Sequence, residues 1–519
     1  MKINIKKLPK SVEELEKIIL LQQHALEKKD QKIIAQQNEI VSYKERYVRL
    51  LEEFKLEKSR LYGSSSEKNI LQSDLFDEPG IELAGELKDQ LDDAIDVEGY
   101  QRKRHPVRKP IPKDMPREVI IHDIPEHDKI CGCGAHLVRI GEEVSEQIKY
   151  IPAQLSVVQH VRPKYACKPC QENVKIAPMP RLLLPKSLAT PELVAYTIIA
   201  KYCDHISLYR QQNIWDRLGI DMPRSSLCGW LLKVAELCEP LVKLLRQNII
   251  AYDYAQADET TVQVLDEIGR NNKTKSYIWC YRGGGDKPTI VYEYQPTRGG
   301  YHAEEFLTGF KGYLQSDAYS GYNFADKDGG IIRFGCMAHA RRKFADIVKV
   351  TKTNGLAHEA IKFFKTLYKI EKDAREARLS SEKRFSLRNE KAEPILTAFK
   401  TWLDAHLTKT PVQSKIGDAI RYALSNWELL NNYLKDGRIE TDNNLLENAI
   451  RPFAVGRKNW LFMGSPSGAK AGAIFYSLIE TCKANNIEPY KYFCVILHRL
   501  RECVTDNDYR KLLPQFVQI

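Results

Sequence analysis

The chain has 519 residues, 43% hydrophobic and 9% aromatic, with 79 Lys+Arg against 68 Asp+Glu and a net charge of +11. That length predicts about three or four domains rather than one, and the apolar share suffices for real cores. The basic excess suits a polyanionic partner without proving one.

No run of about 20 apolar residues occurs, so no membrane span is expected. The start, MKINIKKLPKSVEELEK, lacks an apolar signal core. A soluble, intracellular protein follows as the expectation. Of the twelve cysteines, Cys131/Cys133 and Cys167/Cys170 form two close pairs. The other eight are scattered, which fits a reducing compartment better than a disulfide scaffold.

Residues 1–63 predict one long helix. Val12, Ile19, Leu26, Ile33, Ile40, Tyr47, Phe54 and Leu61 recur every seventh residue, with no Pro or Gly between them. Such heptads predict a coiled coil and a homo-oligomer. The partner seam of Leu15, Gln22, Lys29, Gln36, Tyr43, Leu50 and Glu57 is mixed, so packing on the protein's own surface stays open. Residues 64–118 read as a linker, acidic at 72–98 and basic and proline-rich at 101–117.

Residues 119–182 hold the cysteine pairs. Cys131-x-Cys133 and Cys167-x-x-Cys170 offer four thiolates from two turns, a set suited to structural Zn²⁺. The first pair is one residue short, and His122 or His127 is an alternative ligand. "EQIKYI" and "QLSVVQHVRPKYA" read as strands between the pairs. Residues 183–248 predict helices in helix-turn-helix order. A turn at Gly219-Ile220-Asp221 is followed by Pro223, placing Arg224, Ser225 and Ser226 at the exposed start of the second helix. A generic helical hairpin reads the same way.

From 249 the pattern changes to strands ("AYDYAQADETTVQVL", "SYIWCYR", "TIVYEY", "GYLQSDAY", "GIIRFGC"), a mixed sheet. Residues 338–435 read as helical, with "AREARLSSEKRFSLRNEKAE" a charged, solvated part. Further helices are expected at 470–484 and 489–503.

Three acids stand out: Asp258 in "QADET", Asp317 in "LQSDAYSGY" and Glu447 after "DNN". Two strand-borne carboxylates and one on a helix can converge on Mg²⁺, which prefers oxygen ligands. Turn roles for the aspartates, an i,i+4 pair of Glu447 with Arg451, and an N-cap at Asp442 or Asn443 are the bland alternatives.

The strings "ADET", "SDAYSGYN", "GCMAHARRKF", "IRYALSNWELLNNYLKDGRIETDNNLLENAIRPFAVGRKNWLFMGS" and "YSLIETCKANNIEPYKY" closely resemble transposases of the insertion-sequence 66 family. So do "GEEVSEQIKYIPAQLSVVQHVRPKYAC" and "LPKSLATPELVAYTIIAKYCDHISLYRQ" upstream. The resemblance covers nearly the whole chain from about residue 40. It implies a multidomain α+β protein of the DDE superfamily. Its ribonuclease-H-like core would occupy 249–349 and 436–468, interrupted by a helical insertion at 350–435 and followed by C-terminal helices at 469–519.

Carried over residue by residue, the family's acids fall on Asp258, Asp317 and Glu447, holding Mg²⁺ or Mn²⁺. The family usually has CxxC where this chain has Cys131-x-Cys133. The implied activity is transposition of a bacterial insertion sequence: binding of terminal inverted repeats, strand cleavage and strand transfer. Expected DNA contacts are Arg224, Ser225, Ser226, His339, Arg341, Arg342, Lys343, Arg451, Arg457 and Lys458 on phosphates or bases, with Trp460 stacking on a base or sitting in the core. "GRKNW" reads as a loop along the DNA. Small accessory proteins are possible partners, no membrane is involved, and the place of action is the bacterial cytoplasm at the nucleoid. The rivals are a non-catalytic DNA-binding protein, a structure-specific nuclease and a zinc-bearing scaffold.

Overall fold

The computed structural model describes residues 11–62, 155–162, 164–165, 175–176, 178 and 181–518, apart from 328, 352–354 and 412. The chain divides into two units, Met1–Asp77 with Arg181–Ile519, and Glu78–Pro180. The linker at 64–118, the four paired cysteines, His122 and His127 lie outside the described residues.

Helix α1 (Val12–Tyr62) runs unbroken, as the heptads predict. Val12, Ile19, Leu26, Ile33, Ile40, Tyr47 and Phe54 are all exposed along it. In the smaller unit, strand β1 (Lys164–Tyr165) pairs antiparallel with β2 (Lys175–Ile176). The long strand expected over 154–166 is therefore corrected: among the described residues only its last turn-proximal pair is a strand, and 155–162 is irregular.

In the larger unit, α2 (Pro191–Tyr202) starts where Thr190 accepts the Leu193 N–H and Pro191 fills the first helical position. Ser207 caps α3 (Leu208–Arg217) in the same way. Gly219, at φ +76°, ends α3 in a conformation glycine adopts without strain. Helix α4 (Arg224–Ile250) follows Pro223 and buries the stripe Leu227, Leu231, Val234, Cys238, Leu241 and Leu245.

The sheet has five strands in the order β5-β4-β3-β6-β7: β3 (Tyr254–Gln263), β4 (Lys275–Gly283), β5 (Thr289–Gln295), β6 (Gly312–Gln315) and β7 (Ile331–Phe334). The first three pair antiparallel, while β6 runs parallel to β3 and β7 parallel to β6. Helix α5 (Gly300–Phe306) precedes β6. Gly312 opens β6 at φ +131°, where an added Cβ would lie 2.2 Å from the Asp253 carbonyl oxygen. Only glycine lets β6 close on β3 there.

Next come α6 (Met337–Thr351), α7 (Leu356–Glu376), α8 (Ser381–Leu387), a π-helical turn at Arg388–Ala392, α9 (Glu393–Leu407), α10 (Lys415–Ser425) and α11 (Trp427–Asn431). Apart from α8, they share one apolar core around Phe344, Phe364, Phe399 and Leu403. A second core joins α2–α4, the sheet, α12 (Asn444–Trp460), α13 (Pro466–Ala484) and α14 (Pro489–Arg499). The helices before and after the sheet are thus continuous with it in packing.

"AREARLSSEKRFSLRNEKAE" is mostly exposed, as its solvated character predicts, and departs from it at Arg388. Arg388 and Glu371 are each 1% exposed and pair in a bidentate fashion, at 2.8 Å for both Nε to Oε1 and Nη2 to Oε2. A buried ion pair of this kind leaves no trace in composition.

Helix α13 covers the open edge of β5. Ile290 N–H donates to Thr481 Oγ1 at 3.0 Å and Tyr292 N–H to Ser477 Oγ at 2.8 Å. In return Thr481 Oγ1 donates to the Ile290 carbonyl at 2.9 Å. These hydroxyls satisfy backbone groups that would otherwise template another strand. Replacing both residues (Ser477→Ala with Thr481→Val) is expected to cost about 1–3 kcal/mol per orphaned N–H. Urea unfolding checks the loss, and light scattering checks whether the bared edge associates.

Candidate active site

The parallel register places the first two acids. Gln256 stands opposite Gln315, so two residues on, Asp258 in the middle of β3 and Asp317 just past the end of β6 come level. The period-2 alternation puts them on the face where Gln256 Nε2 donates to Gln315 Oε1 at 2.8 Å. Asp258 is 6% exposed; its Oδ1 accepts the Glu259 N–H at 2.8 Å, and its Oδ2 has no hydrogen-bond partner. Asp317 is half-buried and accepts the Tyr319 N–H at 2.9 Å, a turn that fixes its carboxylate just past the strand.

Glu447 arrives from the first turn of α12 and is 6% exposed. The segment before it is pinned to the strand ends. Gln315 Nε2 donates to the Glu440 carbonyl at 2.9 Å, Met337 N–H to the Thr441 carbonyl at 2.9 Å, and Asn443 N–H to Cys336 Sγ at 3.3 Å. Asn443 occupies the cap position without a side-chain cap bond, and Asn444 N–H is taken by Asp442 Oδ1 at 3.2 Å. The ion-pair partners of Glu447 come from another helix. Its Oε2 lies 3.6 Å from Arg342 Nη2, and its Oε1 lies 3.8 Å from His339 Nδ1.

The three acids share one electrostatic environment. Burial holds the Asp258 carboxyl well above its usual range, reinforced by Glu259, Asp317 and Glu447. Burial also raises Glu259, helped by Asp317 and opposed by Arg298, which pairs with it at 2.5 Å. Asp442 is pushed up to about 6, chiefly by burial. Asp258 thus lies in the field of three further carboxylates, those of Glu259, Asp317 and Glu447. The donors are hard oxygens, and a buried Asp258 oxygen lacks a partner, so the set fits Mg²⁺ or Mn²⁺.

The other sequence candidates divide. Arg224 and Ser225 are exposed and Ser226 half-buried at the start of α4. Lys343, Arg451 and Lys458 are exposed, and Arg341 is half-buried near Tyr368. Lys343 Nζ sits 4.6 Å over the Tyr422 ring. Arg457 is a different case. It is buried at 9% exposure and donates to Thr260 Oγ1 at 3.1 Å and to the Thr261 carbonyl, tethering α12 to β3. Burial pulls its guanidinium down to about 10. "GRKNW" is the last turn of α12 and no loop. Trp460 is half-buried, 5.6 Å from the Phe453 ring in an edge-to-face contact.

Sequence reading passed over four residues near the acids. Glu259 and Cys336 each sit inside a motif already singled out. Tyr422 lies in the quoted "IRYALSNW" string and hydrogen-bonds the Ala318 backbone from α10, whereas Arg298, which reaches Glu259 from a loop, had no local signal.

Fold and site together define a multidomain α+β protein with a carboxylate cluster beside the parallel pairing of β3 and β6 in a mixed sheet. Comparison with known proteins narrows this class. Residues 186–471 match the model described as "Transposase IS66 family". Residues 128–171 match the "zinc-finger binding domain of transposase IS66", 477–515 the "IS66 C-terminal element", and 49–120 the "Transposase C of IS166 homeodomain". The chain belongs to the IS66 transposase family. It is also similar to proteins of Sinorhizobium fredii (strain NBRC 101917 / NGR234) that carry only the description "uncharacterized". One, y4hP, is 31% identical over 491 residues, 91% of this chain and 85% of its own. Another, y4jD, is 33% identical over 417 residues, 78% of this chain and 81% of its own. The zinc-finger match supports structural zinc, and no described helix is long and apolar enough to cross a membrane.

Proposed function

We propose that the protein is a DDE-type transposase that binds the terminal inverted repeats of its element, cleaves them and joins them to target DNA. The observation that carries this reading is the register that levels Asp258 with Asp317, with Glu447 close enough to raise the Asp258 carboxyl further. The strand order, three antiparallel strands followed by two parallel ones, supports a ribonuclease-H-like core.

In this reading Asp258, Asp317 and Glu447 hold the catalytic cation. Mg²⁺ or Mn²⁺, when bound, polarises the scissile phosphate and acidifies the attacking water or 3′-hydroxyl. Water adds to phosphorus as the 3′-oxygen leaves; the freed 3′-hydroxyl then attacks a target phosphate and its leaving oxygen takes up a proton. Arg342 and His339 hold Glu447 from one side before the cation arrives. Gln256, Gln315 and the pinned 440–443 segment keep the three carboxylates converged. Exposed Lys343, Arg451 and Lys458 neutralise phosphates, and Arg224 with Ser225 addresses the element ends. Arg457 acts through packing. The exposed α1 stripe pairs two copies, and Cys131, Cys133, Cys167 and Cys170 hold zinc. Work at the nucleoid, with or without small accessory proteins, follows from that substrate.

Labelled inverted-repeat DNA, target plasmid and Mg²⁺ test the reading. Joined products are expected with the natural chain and none with Asp317→Asn or Glu447→Gln. Joining by either variant removes that acid from the site. Binding with no cleavage by the natural chain favours a non-catalytic DNA-binding protein.

A further inference from the structure

Cys336 and His339 stand beside Glu447 without a place in the oxygen-ligand chemistry above. Cys336 immediately precedes α6 and His339 lies one turn on, so Cys-x-x-His presents both side chains on one side of the helix start. Cys336 Sγ, a His339 ring nitrogen and a Glu447 carboxylate oxygen all lie within 4.8 Å of one another. Thiolate, imidazole and carboxylate are the ligand types of zinc, whereas the Asp258–Asp317 pair offers oxygen alone.

Two further observations point to a ligand. Glu447 is 6% exposed, and its Oε1, the oxygen facing His339, has no hydrogen-bond donor. Its other oxygen faces Arg342, so the charge is balanced from that side while Oε1 stays available. Second, the sulfur accepts a backbone N–H from Asn443 at 3.3 Å. Amide donors aimed at sulfur stabilise a metal-bound thiolate.

We infer that Cys336, His339 and Glu447 form a second divalent-cation site, selective for a soft ion such as Zn²⁺, that shares Glu447 with the acid cluster. Binding releases the thiol proton to solvent. The three ligand atoms lie within 4.8 Å of one another, and a closed tetrahedral shell with each ligand about 2.0–2.3 Å from the ion draws the side chains closer together on binding. Because one carboxylate serves both sites, occupancy by zinc withdraws Glu447 from Asp258 and Asp317. That last consequence rests on the proposed function; the site itself does not.

Co²⁺ reports the site without DNA. It is titrated into full-length protein whose finger cysteines are filled with zinc, and the thiolate-to-cobalt charge-transfer absorption is followed. The natural chain is expected to take up a further Co²⁺ with that absorption, and Cys336→Ala to lose it. His339→Gln, at a half-exposed position, is expected to keep the fold and weaken Co²⁺ by more than the roughly 10-fold typical of losing a hydrogen bond to a ligand. Absorption unchanged in Cys336→Ala, no absorption in the natural chain, or undiminished affinity in His339→Gln overturns the inference. Failure of DNA joining leaves this readout untouched, so the two readings fail separately.

Discussion

Asp258→Asn is expected to give a protein that is inactive in strand cleavage and joining yet more heat-resistant than the natural chain at neutral pH without added Mg²⁺. Loss of a principal charge-bearing group at the reacting phosphate should lower the rate by on the order of 10³-fold or more. The gain in stability has a separate origin. Asp258 is buried beside Glu259, Asp317 and Glu447, with the Arg298 and Arg342 guanidiniums nearby, and burial with those carboxylates raises its folded carboxyl well above the ordinary 3.8. At pH above that raised value both folded and unfolded states are ionised, and the folded state carries the full cost of the buried charge. As pH falls through the raised value toward 3.8 the folded carboxyl takes a proton first, and the cost disappears. The advantage of the variant is therefore greatest at neutral pH and vanishes in acid. Thermal unfolding across that range measures it, and Mg²⁺ should raise the melting temperature of the natural chain far more than that of Asp258→Asn. Equal melting at neutral pH would contradict the electrostatic account.

Arg388→Met is expected to destabilise the protein by about 3–5 kcal/mol, the range found when one partner of a buried pair is removed. Arg388 donates to both oxygens of Glu371 and to the carbonyls of Tyr433, Asp436 and Ile439. Methionine keeps the apolar stem but leaves a buried carboxylate and three carbonyls short of donors. Those carbonyls lie just before the segment that carries Glu447, so the variant should also need more Mg²⁺ for any activity it retains. Arg388→Met combined with Glu371→Leu removes both charges and should recover much of the loss. Urea unfolding of the single and double variants decides it; a single variant within about 0.5 kcal/mol of the natural chain, as at ordinary surface sites, would show the pair to be dispensable.

Both predictions turn on what was and was not legible beforehand. Asp258 could be picked out because it sits within a strand pattern, Asp317 because it ends one, and Glu447 because a helix start follows "DNN". Their convergence could not be derived from periodicity: it depends on the parallel pairing of β3 with β6, and pairing partners leave no local mark. The stretch around Arg388 misled for the opposite reason. Its composition is that of a solvated helix face, and burial of Arg388 depends on Glu371 of α7 and on carbonyls of the 433–439 segment, which lie outside it. Arg457 is a similar case: a last-turn arginine reads as a surface cation until β3 is seen beneath it.

Hydrophobic period and turn chemistry are local properties, so the long helix α1, the strands of the mixed sheet and the helices after it were determined by sequence alone. So were the motifs that marked the family. Only the tertiary structure decided which cations face Glu447, which arginines are buried, and that Cys336 and His339 share its carboxylate. Those relations arise where α6, α12 and the parallel strand ends meet, and a linear chain does not record which of its charges will lose their water together.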